Sequence, residues 1–140
     1  MTAAISASAT DVRKGFSEFL DSAMRKPQFM KRRKQIYVTF PYETLDILFP
    51  AKITLRILRD SNGAYYTENS ALPDIIGFGA TKEEAVNSFI DDVVLYAYEY
   101  NDNYALYSAS PNRAAHLPIV MKILSLFERD GDISGLMETL

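Results

Sequence analysis

Between Lys52 and Tyr100 the spacing of apolar residues switches from a two-residue to a four-residue period, and that switch constrains the architecture more than any other feature. From Lys52 to Asp60, Ile53, Leu55 and Ile57 alternate with Thr54, Arg56 and Leu58, the two-residue period of a strand with one buried face. The turn Ser61-Asn62-Gly63 leads into a second extended stretch, Ala64–Asn69, which predicts a β-hairpin. From Thr81 onward the pairs Ala85/Val86, Phe89/Ile90, Val93/Val94 and Ala97/Tyr98 recur every four residues through about Tyr100. This is the stripe of an amphipathic helix, opened by the capping box Thr81-Lys82-Glu83-Glu84. A hairpin with one apolar face and a helix with one apolar stripe bury each other, so the expected fold class is α+β.

The remaining punctuation fills in the order of elements. Ser8-Ala9-Thr10-Asp11 fits another capping box, and Val12, Phe16, Phe19, Leu20 and Ala23 predict a helix from about Thr10 to Arg25, preceded by a short strand over Ala4–Ser8. Pro27 stops that helix, and Gln28–Lys31 and Ile36–Phe40 read as strands on either side of the basic turn Arg32-Arg33-Lys34. Pro41–Leu48 has room for one or two helical turns. Ile75–Phe78 offers a third strand beside the second hairpin. Leu117-Pro118 opens a helix carrying Val120, Ile123, Leu124 and Phe127 on one face and ending at Asp130-Gly131, and Ile133–Leu140 reads as a last short helix. The expected organisation is a β-α-β-β module over residues 1–50, then an antiparallel sheet with helices over residues 51–140.

Charge divides the chain in nearly the same way. Up to Lys34 there are eight basic and three acidic residues, a net of +5, so the rest carries −8 of the total of −3. A basic segment favours a polyanion as partner, and an acidic remainder favours a basic protein. With 48% hydrophobic residues in 140 a real core is expected. With no cysteine, disulfides and thiolate chemistry are excluded, in keeping with a reducing cytoplasm. Neither a secretory signal nor a bilayer-spanning stretch is present, so a cytoplasmic protein without membrane attachment is expected.

Ile5-Ser6-Ala7, Ala9-Thr10-Asp11-Val12-Arg13-Lys14, Phe16-Ser17-Glu18-Phe19-Leu20-Asp21, and Pro27 leading to Lys31-Arg32-Arg33 follow one another in the order and spacing of a known module. The first 45 or so residues thereby resemble the DNA-binding module of Phd/YefM-type antitoxins. The resemblance implies a homodimer, or a higher homo-oligomer, that docks on operator DNA and represses its own operon. Carried over residue by residue, the DNA-facing positions are Ser8, Thr10, Arg13 and Arg32, with Lys14, Lys31 and Arg33 adjacent. Many relatives carry threonine before the arginine and glycine or asparagine just after it, where this chain has a run of cations. The region from Ile53 to about Tyr98 is weakly similar to HicB-type antitoxins, through the hairpin, Leu72-Pro73, Gly77 and Gly79, and Thr81–Ala85. As a whole the chain resembles Phd-like antitoxins of RelE/RelB-type systems, which implies a small basic ribonuclease of RelE type as the cognate toxin.

Apart from that resemblance, the residues allow plainer readings. Hydroxyls at a helix start and nearby arginines suit phosphates and base edges, yet Ser8 can simply cap the helix while the basic run is a solvated turn. Asp91, Asp92, Glu99, Asp102, Glu128, Asp130, Asp132 and Glu138 would complement a basic toxin, or merely keep helix surfaces hydrated. A 50-residue module buries little surface alone, so Phe16, Phe19, Leu20, Ile36, Val38 and Phe40 are expected in a core shared between two copies. The single histidine, His116, is expected to cap the helix at Leu117, Gly77-Phe78-Gly79 to form a tight turn, and Tyr96, Tyr98, Tyr100, Tyr104 and Tyr107 to serve packing or an interface. No nucleophile, metal cluster or paired base points to an enzyme, and no cofactor is implied. The competing function is a small-ligand-binding regulatory or sensor protein without a toxin partner.

Overall fold

The computed structural model describes residues 5–140 and divides into two compact units, Met1–Ile47 and Leu48–Leu140. In the first, β1 (Ser6–Ser8) leads through α1 (Ala9–Lys14) and α2 (Phe16–Ala23) to β2 (Gln28–Arg32) and β3 (Gln35–Thr39). The sheet order is β1-β2-β3, with β1 parallel and β3 antiparallel to β2. Ala4, placed by sequence in the first strand, lies outside the described residues.

The single helix expected over Thr10–Arg25 is two helices. Gly15 sits between them at φ −122° and ψ 47°, outside the helical region. Glycine loses more conformational freedom in a helix than any other residue, and here the chain turns at it, with Gly15 N–H bonded to Asp11 O and Gly15 O accepting from Phe19 N–H. The apolar residues after the break fall out of phase with those before it. Val12 and Ala23 are buried, whereas Phe16 and Leu20 are 56% and 42% exposed. After β3, α3 (Thr44–Leu48) supplies the buried Leu45.

The second unit is a four-stranded sheet of order β6-β5-β4-β7 with helices packed on it. β4 (Ile53–Arg59) and β5 (Tyr65–Glu68) form the expected hairpin, and β6 (Phe78–Gly79) adds briefly to β5. Asp60 closes the hairpin, its carboxylate accepting from Asn62 and Ala64 N–H at 2.8 and 3.0 Å while Gly63 takes φ +84°. The principal helix, α4 (Lys82–Asp102), starts as its capping box requires. Thr81 Oγ1 accepts from Glu84 N–H at 3.1 Å, and the Glu84 carboxylate reaches back to Ala80 N–H at 2.8 Å. After α5 (Tyr104–Ala109), a short 3₁₀ turn over Ala114–His116 leads into α6 (Leu117–Asp130), which stops at Gly131 in the left-handed region.

The expected helix over Ile133–Leu140 is a 3₁₀ turn, Ser134–Leu136, followed by β7 (Met137–Thr139) parallel to β4. The edge of β4 left open by the hairpin offers three residues more hydrogen-bonding partners than a half-exposed terminal helix would have. Ile53, Leu55, Leu72, Phe89, Val93, Ala97, Tyr100, Val120, Ile123, Ile133 and Leu136 form one continuous core, with Leu117, Leu124 and Phe127 packed at its margin. The apolar face of α6 therefore belongs to the protein's own interior.

Gly77-Phe78-Gly79, expected as a tight turn, is extended instead, with Phe78–Gly79 paired to β5, because the segment is pressed onto a helix. A Cβ on Gly77 would stand 2.2 Å from Ala85 O and 2.6 Å from Phe89 N, and one on Gly79 2.5 Å from Ala85 N. The segment lies backbone to backbone on α4, an approach only glycine permits.

Candidate functional site

In the first unit, register brings the start of α1 beside the basic hairpin. β1 pairs with β2 through Ser6↔Phe29, Ala7↔Met30 and Ser8↔Lys31, so the residue that begins the helix is the cross-strand neighbour of the first cation of the run. Ser8 is the N-cap of α1, its Oγ accepting from Asp11 N–H at 3.1 Å. Thr10 follows in the first turn and Arg13 and Lys14 occupy the last, about 7 Å along the axis from Ser8. α1 packs against both β1 and β2.

Arg32 pairs with Gln35 at the end of the β2–β3 ladder, which leaves Arg33-Lys34 as a two-residue connection. Two-residue hairpins want positive φ and are normally given glycine or asparagine. Here Arg33 takes the strain at φ +56°, the one non-glycine residue with positive φ among those described. Arg32, Arg33 and Lys34 line a shallow cavity with Gln35 and Tyr37. Arg13 and Lys14 do not line it. All of Ser8, Thr10, Arg13, Lys14, Lys31, Arg32 and Arg33 are exposed, and among the described residues no ion pair engages any of the cations.

The same unit is thinly cored. Val12, Ala23 and Leu45 are its buried apolar residues among those described, while Met24, Ile36, Tyr37 and Val38 are exposed along with Phe16 and Leu20. Three consecutive exposed apolar residues on β3, an edge strand, occupy both faces of the sheet. Phe19 and Phe40 are half-buried.

In the second unit the tyrosines sort into distinct roles. Tyr100 is fully buried and its hydroxyl donates to Arg113 O at 2.9 Å. Tyr96, Tyr100 and Tyr107 pack ring on ring, and the Arg113 guanidinium lies 4.0 Å from the Tyr107 centroid. Tyr98 packs on Phe127 and donates to Glu128, which raises its pKa, while Tyr104 stays exposed. His116 occupies the N-cap position of α6, yet its side chain makes no capping bond. Pro118 removes one of the amide donors at that helix start, and the ring turns to Tyr96 instead, with Oη 2.7 Å from Nδ1. Burial holds the imidazole pKa below its ordinary value, with Asp74 pulling it up and Arg113 adding to the fall. The eight carboxylates singled out by charge are all exposed.

Sequence inspection passed over one buried charge. Lys122 is 4% exposed, and its ammonium donates to Phe49 O at 2.8 Å and Ala51 O at 3.2 Å. Its partners lie more than 70 residues away, so no local pattern announces it. Among the described residues no helix is long and apolar enough to cross a membrane, and no three His, Asp or Glu gather as a metal site would need.

Comparison with known proteins gives this geometry a family. No curated protein matches the sequence. A crystal structure from Syntrophomonas wolfei subsp. wolfei, described as the antitoxin part of a proposed toxin/antitoxin system, superposes with a TM-score of 0.78 at 24% identity. The match covers 96% of this chain and 97% of that one, and at this identity it speaks for the fold. The PHD-like family, described as the antitoxin of RelE/RelB toxin–antitoxin systems, matches residues 2–138. The chain belongs to that family, and it is a non-enzymatic antitoxin of a toxin–antitoxin system.

Proposed function

We propose that this antitoxin binds and neutralises a RelE-like toxin and represses its own operon in the cytoplasm, by binding operator DNA as a homodimer. Residues 1–50 are the dimerisation and DNA-binding module, and residues 51–140 the acidic toxin-binding one. The observation that carries the reading is the Ser8↔Lys31 pairing, which sets the α1 start beside a hairpin of cations that no carboxylate among the described residues pairs with. Lys14, Lys31, Arg32 and Arg33 bind phosphates, Arg13 reaches phosphates or guanine edges, and Thr10 donates from the first turn. The Ser8 hydroxyl accepts from Asp11 and keeps its own proton for a phosphate oxygen.

Dimerisation is supported by the shortage of core. Exposed Phe16, Leu20, Ile36 and Val38 are more apolar surface than a unit with three buried apolar side chains among its described residues can balance, and a second copy would cover them while doubling the cationic surface. Toxin binding is supported by the −8 charge after Lys34 and the exposed carboxylates of α4 and α6, which attract a basic ribonuclease.

The test is a mobility-shift assay on the protein's own upstream DNA, together with co-purification of the neighbouring gene product. The wild type shifts the DNA, and the Arg13→Ala/Arg32→Ala variant abolishes the shift with an unchanged melting curve and an unchanged toxin complex. A shift that survives the double substitution overturns the assignment of these residues.

A further inference from the structure

A cavity of about 280 Å³ in the second unit is lined by Asp74, Tyr96, Arg113 and His116 together with the apolar Leu72 and Ile75. That is close to the lower end of the ~300–1,000 Å³ range of ligand pockets and suits a small molecule such as an amino acid.

Its charges are arranged for a ligand and not for each other. Asp74 and Arg113 share the cavity wall, and both act electrostatically on the imidazole of His116, yet among the described residues no ion pair joins them. Two opposite charges that face one cavity without touching are complementary to a molecule bearing both signs. A simple anion would be repelled by Asp74, and a simple cation by Arg113.

Both walls are held in place. On one side the buried Asn69 accepts from Leu72 N–H at 2.6 Å and donates to Leu72 O at 3.0 Å and Ile75 O at 3.3 Å, fixing the loop that carries Asp74. On the other, Tyr100 Oη holds Arg113 O, and the Tyr107 ring and hydroxyl hold the guanidinium, with Glu99 also acting on it, which leaves the remaining N–H groups to donate. A Tyr96 hydroxyl donating into His116 Nδ1 leaves the ring proton on Nε2 as a further donor.

We propose that this cavity binds a free α-amino acid with an apolar side chain. Its carboxylate sits on Arg113 and His116 Nε2–H, its ammonium on Asp74, and its side chain against Leu72 and Ile75.

Isothermal titration of the full chain with L-leucine and L-phenylalanine tests this, against leucinamide, which lacks the carboxylate, and 4-methylpentanoate, which lacks the ammonium. The amino acids should bind saturably, and each leucine analogue at least tenfold more weakly than leucine. Asp74→Asn should cut leucine affinity to that of 4-methylpentanoate, and Arg113→Gln to that of leucinamide. Because Arg113 also packs on Tyr107, its variant is read only if its melting curve is native, and the exposed Asp74→Asn carries the test alone otherwise. No saturable heat from any amino acid well above about 1 mM, analogues that bind as well as leucine, or leucine binding unaltered by Asp74→Asn would each overturn the proposal.

Discussion

Replacing Gly77 by alanine adds one methyl group at a place with no room for it. The new Cβ would lie 2.2 Å from Ala85 O, 2.6 Å from Phe89 N and 2.7 Å from Phe89 Cβ, and the first two are backbone atoms of α4 that no rotamer change can move. Nor can residue 77 retreat, because Thr67 holds it from the other side. Gly77 N–H donates to Thr67 Oγ1 at 2.8 Å, and Gly77 O accepts from Thr67 N–H at 3.0 Å, with Thr67 1% exposed. Either the helix shifts on the sheet, at the ~1–3 kcal/mol typical of overpacking, or the two buried hydrogen bonds break, at about 1 kcal/mol each or more. A loss of about 3 kcal/mol follows. With a urea slope of about 1–1.5 kcal/mol/M, the denaturation midpoint falls by roughly 2–3 M, and Tm by roughly 12–24 °C for a unit of this size. Gly135→Ala is the control, since a Cβ there meets nothing within 4 Å, and it should stay within about 0.5 kcal/mol of wild type. Gly77→Ala within 1 kcal/mol of wild type would refute the close approach on which the α4 packing rests.

Ser8→Ala should cost about 1 kcal/mol of stability through the lost cap, checked by chemical denaturation. Arg33→Gly relieves a left-handed arginine and should be neutral to about 1 kcal/mol stabilising, while weakening operator binding, so the two readouts move in opposite directions. Lys122→Met leaves Phe49 O and Ala51 O without their ammonium and should destabilise by about 2–3 kcal/mol, read as a lower urea midpoint. His116, with its folded pKa depressed by burial, binds fewer protons folded than unfolded. Its contribution is therefore complete above the unfolded value of about 6.5 and is lost as pH falls toward and through the folded pKa. The Tm difference between wild type and His116→Gln should narrow over that interval, and a difference independent of pH would contradict the assignment.

The parts of the fold readable in sequence are those whose determinants are local. The β4–β5 hairpin and α4 were visible because alternation and a four-residue repeat each act over one element, and the Thr81 and Ser8 caps because a helix start satisfies its amides with side chains a few residues away. What escaped was set at long range. Ile133, Leu136, Met137 and Leu140 have helical spacing, but the open edge of β4 turned Met137–Thr139 into a strand. His116 has a capping position and found Tyr96 twenty residues away. Gly15 sat inside an otherwise regular apolar pattern and broke it in two. In the candidate DNA site the cations were legible as charge, whereas the Ser8↔Lys31 register that groups them and the positive φ of Arg33 come from strand pairing and exist only in the folded unit.

Fluorescence anisotropy of labelled operator DNA as a function of salt tests the repressor reading most directly. Two modules each placing three or four cations on phosphates predict log K falling with log salt at a slope of about −5 to −7, shallower by about 2 in Arg32→Ala because the dimer loses one contact per copy. A slope near zero, or one that Arg32→Ala leaves unchanged, would mean that the hairpin cations do not hold DNA.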